Sequence, residues 1–127
     1  MSNSIQLLVA RILMSLIFIP AGYGKLTSVA GTTGYMASMG VPLPSISVWL
    51  VIAVELLGGL AILVGFMTRY AAWALAAFCV ASGVLAHYVP GDQMQMTSFM
   101  KNLAMAGGFL ALAVAGAGSL SVDARRA

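Results

Sequence analysis

One segment, residues 48–66, limits what this chain can fold into. It reads VWLVIAVELLGGLAILVGF, and Glu55 is its only charged residue. A helix of this length covers a hydrocarbon core of about 30 Å, since each residue adds about 1.5 Å. A carboxylate inside that core costs about 3 kcal/mol on insertion scales unless it finds a partner or water. The segment therefore predicts a transmembrane helix around a polar centre, which Gly58 and Gly59 leave open to another helix.

The composition predicts an integral membrane protein. Of the 127 residues, 61% are hydrophobic and only 7% are charged, whereas a soluble domain averages about 25% charged residues. The length fits one domain, residues 1–127. Six basic and three acidic residues are too few for a nucleic-acid surface. The single cysteine, Cys79, excludes an internal disulfide.

The apolar runs predict an all-α transmembrane four-helix bundle. Its spans are residues 5–24, 48–66, 70–88 and 99–118. Arg11 interrupts the first run, so we interpret this run as a retained helix rather than a cleavable signal peptide. In the first loop, the sequence predicts a short interfacial helix that begins at Thr27 or Ser28, continues to Met39 and ends at Gly40.

Basic residues are distributed unevenly about these four spans. An even number of spans places both termini on one side, and that side carries most of the arginines: Arg11, Arg69, Arg125 and Arg126. The opposite side carries Lys25 and Lys101. Because cytoplasmic loops are enriched in basic residues, the pattern predicts cytoplasmic termini.

The first candidate site is a buried polar pair, Arg11 with Glu55. Steps of three and four residues place Arg11 on one face of the first helix, together with Ser15 and Lys25. The axial offset between Arg11 and Glu55 is of order 5–10 Å, which an arginine side chain spans. We expect either a structural ion pair or a centre that binds a ligand headgroup or relays protons. A third alternative is that one of the two side chains reaches the membrane surface.

The second candidate site is a set of polar residues near the ends of three spans. Antiparallel threading places them at a similar depth: Tyr23, Lys25, His87, Tyr88, Lys101 and Asn102. They could donate hydrogen bonds to quinone carbonyls or hold an anion, and the alternative is that they are ordinary interface anchors. Helical rise places them about 15 Å from Glu55, so we expect no direct contact. Either one elongated cavity joins the two sites, or Glu55 is purely structural. One histidine and one cysteine predict no metal or haem site.

The ordered set of motifs resembles the DoxX family of small four-helix bacterial membrane proteins over about residues 5–115. The matching stretches are LLVARILMSLIFIPAGYGKL around Arg11, GYMASMGVPLP before the second span, ELLGG from Glu55, TRYAA from Thr68, His87, and KNL from Lys101. The resemblance implies a multi-pass protein of the bacterial inner membrane. The family is similar to the membrane subunit of a thiosulfate:quinone oxidoreductase, and other members are linked to thiol and oxidative-stress systems.

From this resemblance we expect a redox-associated membrane subunit that binds quinone or docks a soluble oxidoreductase, with no catalytic residue assigned. Quinone is the only cofactor implied. Compatible partners are the lipid bilayer, a soluble redox enzyme, another membrane protein and further copies of the chain. Two alternatives stay open. One is an assembly or scaffold protein with a structural Arg11–Glu55 pair, and the other is a transporter of protons or a small solute.

Overall fold

The computed structural model describes residues 2–126, and its regular structure is entirely helical, as predicted. It contains α1 (Asn3–Ser15), α2 (Phe18–Leu26), α3 (Val29–Ser38), α4 (Pro44–Val64), α5 (Thr68–Ser82), α6 (Gln93–Ala115) and α7 (Val122–Arg126). A π-helical turn, Gly83–His87, continues α5. No strand occurs between residues 2 and 126.

Four segments are long and apolar enough to cross a membrane, which confirms the predicted fold class. Span 1 is α1 with α2, span 2 is α4, span 3 is α5 with the π-helical turn, and span 4 is α6. Span 4 begins at Gln93 rather than at residue 99, because the side chain of Asp92 accepts a hydrogen bond of 3.1 Å from the Gln95 N–H. This cap stabilises the first turn of the helix, which therefore includes the polar residues 93–98.

Span 1 is broken between α1 and α2, at Leu16 and Ile17. Pro20 explains the position of the break, since proline has no N–H to donate and its ring collides with the carbonyl four residues earlier. That carbonyl belongs to Leu16. The regular helix is thus interrupted one turn before the proline.

Glycines set the spacing of the inner helices. A Cβ on Gly22 would lie 2.8 Å from the backbone nitrogen of Leu56, so α2 and α4 are in near backbone contact. A Cβ on Gly59 would lie 2.9 Å from Ile19, whereas Gly58 faces Leu75 of α5 at 3.3 Å. The prediction that Gly58 and Gly59 admit neighbouring helices is therefore confirmed, with one neighbour on each glycine.

Two apolar clusters hold the helices together. The larger one is contributed by all four spans and is centred on Phe18, Ile62, Leu75 and Phe109. The smaller one consists of Met36, Val48 and Ile52 and attaches α3 to the first half of α4. The short helix predicted in the first loop is thus present, and it packs along α4. Gly40 follows it with a φ of 79°, a conformation that favours glycine.

The C-terminal segment folds back onto the bundle. The carboxylate of Asp123 accepts hydrogen bonds from the N–H groups of Met67 (2.7 Å) and Thr68 (2.9 Å), and so caps the start of α5. The hydroxyls of Ser4 and Ser119 lie 2.6 Å apart. We call this end of the molecule, which carries both chain ends, the terminal end.

Candidate functional site

Arg11 is fully buried at the terminal end and is held by backbone carbonyls. Its Nη1 donates to Leu63 (3.0 Å) and Ile62 (3.4 Å), and its Nη2 donates to the carbonyl of Leu120. These contacts join α1 to the end of α4 and to the C-terminal segment. The predicted ion pair between Arg11 and Glu55 is therefore wrong, although both side chains are buried.

Glu55 instead pairs with Lys25, at 2.7 Å between Oε1 and Nζ. Only 7% of the Glu55 side chain is exposed, compared with 32% of the Lys25 side chain. The second candidate site was expected to lie about 15 Å from Glu55. For Lys25, a member of that site, this expectation is wrong. Lys25 thus belongs to both candidate sites, and it links the middle of span 2 to the polar residues beyond.

Side-chain direction explains why Lys25, and not Arg11, is the partner of Glu55. The Cα–Cβ bonds of a helix tilt toward its N-terminus, so long side chains cover the preceding turn. In span 1 this direction leads toward the terminal end. Arg11 therefore extends away from Glu55, and Lys25 extends toward it. Gly22 lies one turn before Lys25 on the same face, and its contact with Leu56 brings the lysine within reach of the carboxylate.

A cavity of about 680 Å³ begins at this ion pair and continues toward the end of span 3. Its wall is mostly apolar and comes from all four spans and from α3. The carboxylate, ammonium, imidazole and amide side chains on its wall are those of Lys25, Glu55, His87, Lys101 and Asn102. Of the two arrangements left open by the sequence, the structure has the elongated cavity, which joins Glu55, but not Arg11, to residues of the second candidate site.

Asn102 is fixed in the wall by hydrogen bonds to span 3. Its Nδ2 donates to the carbonyl of Cys79 (3.0 Å) and to the hydroxyl of Ser82 (3.1 Å), and the residue is 7% exposed. Gly83 allows this approach, because a Cβ there would lie 3.2 Å from the Cβ of Asn102. The π-helical turn begins at Gly83, and single π-turns often occur at functional sites.

His87 ends the π-helical turn and faces the same cavity. Its Nδ1 lies 2.8 Å from Oε1 of Gln95 at the start of α6. An amide oxygen only accepts, so Nδ1 carries the proton and Nε2 has no partner within residues 2–126. The ring is thus oriented by one nitrogen and presents the other, a common arrangement for a histidine that contacts a ligand.

Two residues of the second candidate site lie outside the cavity. Tyr23 is 62% exposed, and Tyr88 is 54% exposed and packs against Phe99 with ring centroids 5.2 Å apart. Neither contributes to the cavity wall. Lys25, His87, Lys101 and Asn102 do, so the structure brings together four of the six residues that the sequence singled out.

The sequence interpretation missed the contribution of α3 to the cavity. Thr32, Tyr35, Met36 and Met39 all line it. Their spacing of three and four residues marks one helical face, and this period was the available signal. A helix at the membrane interface, as the sequence predicts for α3, would not line a cavity between the spans. For this reason no α3 residue is among the predicted site residues.

The arrangement suits a ligand with a polar head. A few hydrogen-bond donors and acceptors interrupt an otherwise apolar wall, and most small-molecule pockets have this character. Among residues 2–126, no three His, Cys, Asp or Glu side chains lie close enough together to hold a metal ion. The ammonium group of Lys25 can donate to a carbonyl or hydroxyl group, whereas the Asn102 amide can only accept through Oδ1, because its two N–H groups already bind Cys79 and Ser82.

Comparisons with known proteins extend over nearly the whole chain. The sequence profile of the DoxX family matches residues 6–88. Inner membrane protein YqjF of Escherichia coli (strain K12) is 48% identical over 121 residues, which cover 95% of this chain and 92% of that protein. Inner membrane protein YphA of the same organism is 36% identical, over 98% of this chain and 92% of that protein. No solved structure is significantly similar to this chain.

Proposed function

This chain belongs to the DoxX family of integral membrane proteins, and on that premise we propose that it is a redox-associated membrane subunit that binds a quinone headgroup. The observation that supports this most is the single cavity in which Lys25, Glu55, His87, Lys101 and Asn102 meet an otherwise apolar wall. In this role the chain holds the quinone, and a soluble oxidoreductase exchanges electrons with it.

The chemistry of the cavity matches both ends of a quinone ring. Quinone carbonyls accept hydrogen bonds, and the ammonium groups of Lys25 and Lys101 supply donors at separate points of the wall. Glu55 accepts, so it suits the hydroxyl of the reduced form. The volume, about 680 Å³, lies within the usual range of small-molecule sites.

Binding of a simple benzoquinone by the purified protein in lipid nanodiscs tests the proposal. We expect saturable binding by calorimetry, and Lys101→Met lowers the affinity about tenfold, since it removes a charged donor worth about 1.5 kcal/mol. Arg69→Met is the matched control, because Arg69 is a basic residue that does not line the cavity. The control variant keeps the wild-type affinity.

Other outcomes would replace this function with one of its alternatives. If wild type binds no benzoquinone or naphthoquinone, the quinone role fails. Copurification of a membrane protein in a fixed ratio, without quinone, would indicate an assembly protein. Proton or solute flux into proteoliposomes that disappears in Glu55→Gln would indicate a transporter.

The proposed orientation places the terminal end in the cytoplasm of a bacterium. The basic residues Arg69, Arg125 and Arg126 lie at that end, whereas the other end carries Lys25 and Lys101. Enrichment of arginine and lysine near cytoplasmic ends supports this direction. A cysteine placed at residue 125 in a Cys79→Ala background should resist a membrane-impermeant thiol reagent in intact cells, and a cysteine at residue 92 should react.

A further inference from the structure

A second, narrower space lies beside the cavity, in the seam between spans 1 and 4. We call it the seam groove. It has a volume of about 350 Å³ and an almost entirely apolar wall. Its lining residues are Leu13, Met14 and Ile17 on span 1, and Lys101, Ala104, Met105, Gly108 and Phe109 on span 4.

The way the spans pack explains why a groove exists at this seam. Span 1 packs closely on span 2, span 2 on span 3, and span 3 on span 4. Across the seam, the rings of Phe18 and Phe109 meet with centroids 5.6 Å apart. The terminal methyl of Met14 lies over Gly108, 3.3 Å from where a Cβ would be. Ile17, at the break between α1 and α2, lines the space beside these contacts.

The seam groove and the cavity are neighbours. Three residues, Ile17, Lys101 and Met105, line both spaces. Flexible side chains are thus the partition between them, and methionine in particular adapts its shape at low cost. On its other side the groove faces the surroundings of the bundle, since Leu13 is 62% exposed. A chain-like group can therefore extend from the polar cavity to the hydrocarbon of the bilayer along one route.

We propose that the seam groove holds the hydrocarbon tail of the ligand whose headgroup occupies the cavity. The ligand class is then a quinone with a long alkyl or isoprenoid tail. This inference rests on the proposed function and adds a second subsite to it. Lys101 lies where head and tail join, with its charge toward the head, and Ala104 and Gly108 keep the groove open for the tail.

The cavity has a second open side, and it offers the tail a competing route. Leu50 of α4 and Ala77 and Ala81 of α5 line the cavity and are themselves exposed. The seam groove is the better tail site because two spans line it and because it adds about 350 Å³ of almost entirely apolar space next to the cavity. Apolar area buried on both sides contributes more affinity than one open wall.

The test compares two probes with the same head, 2,3-dimethoxy-5-methylbenzoquinone and its derivative with a ten-carbon alkyl tail. In lipid nanodiscs, wild type should bind the tailed probe at least about tenfold tighter than the tail-free probe, after correction for the partition of each probe into lipid. Gly108→Phe should bring the two affinities within about threefold of each other and leave the tail-free affinity unchanged, since it fills only the groove.

Gly107→Phe is the matched control. A Cβ on Gly107 has nothing within 4 Å, so this variant adds the same side chain next to the groove without filling it. It should bind both probes like wild type. Ala104→Phe is a second groove variant, in case Gly108→Phe does not fold by its thermal melting curve. Ala77→Phe blocks the competing route.

The possible results separate the two proposals. If wild type binds both probes equally, or if only Ala77→Phe weakens the tailed probe, the tail is not in the seam groove, and the quinone site stands. If neither probe binds wild type, both the quinone site and its tail subsite are wrong. Selective loss of the tailed probe in the groove variants supports both.

Discussion

The terminal end and the cavity each contain one buried charged side chain, Arg11 or Glu55, and a partly exposed one of opposite charge, but they satisfy these charges differently. At the terminal end, Arg11 and Asp123 bind backbone groups on several helices. Around the cavity, Lys25 and Glu55 bind each other beside open space. A charge held by backbone groups on several segments fixes the fold, whereas a charge beside a cavity is available to a ligand. Substitutions in the two regions should therefore affect different measurements.

The largest loss of stability is expected from Arg11→Met. The substitution keeps an apolar stem but leaves the carbonyls of Leu63 and Leu120 without their donor, and each buried acceptor left unpaired costs about 1–3 kcal/mol. We expect the free energy of unfolding to fall by roughly 2–4 kcal/mol. Denaturant unfolding in detergent measures it. A change below about 1 kcal/mol would show that these contacts do not stabilise the terminal end.

An intermediate loss is expected from Asp123→Asn. The carboxylate accepts two backbone hydrogen bonds at the start of α5, whereas an asparagine amide has one acceptor oxygen, so the substitution removes one of them at a cost of about 1 kcal/mol. Burial alone would raise the pKa of Asp123, but hydrogen bonds from Thr68 and Met67 and the charge of Arg126 outweigh it, so this pKa lies below its ordinary value.

The same carboxylate gives a pH dependence with a defined sign. Because the folded pKa of Asp123 is lowered, its contribution is fully present above the unfolded value of about 3.9 and is lost as the pH falls through the folded value. Melting temperatures of wild type and Asp123→Asn should therefore converge as the solution is acidified below about pH 4. Curves that stay parallel down to pH 2 would contradict this role.

The smallest loss of stability is expected from Glu55→Gln. The substitution removes a buried charge, and Lys25, with 32% of its side chain exposed, can turn toward the open cavity. We expect a change within about 1 kcal/mol, as for partly exposed ion pairs. Calorimetric titration should nevertheless show weaker binding of the reduced quinone. If Glu55→Gln unfolds the protein as Arg11→Met does, the two regions do not differ in the way described.

Part of the site could be predicted because residue type alone limits where a side chain lies. Lysine, histidine and asparagine near the ends of apolar helices avoid lipid, so Lys25, His87, Lys101 and Asn102 were expected near one another, and all four line the cavity. Tyrosine has no such restriction, because it is stable at the membrane–water interface. Tyr23 and Tyr88 accordingly lie outside the cavity.

The sequence by itself determined that the chain is an all-helical membrane protein, because long apolar segments in a chain with few charges have no other stable arrangement. It also determined that Glu55 needs a partner. Which partner it has was decided only by the tertiary structure. Gly22 brings α2 onto α4, and the lean of helical side chains directs Lys25 toward Glu55 and Arg11 toward backbone carbonyls. Counting residues along a helix gives the height of a Cα atom, but the position of a charged group also depends on side-chain direction and helix spacing.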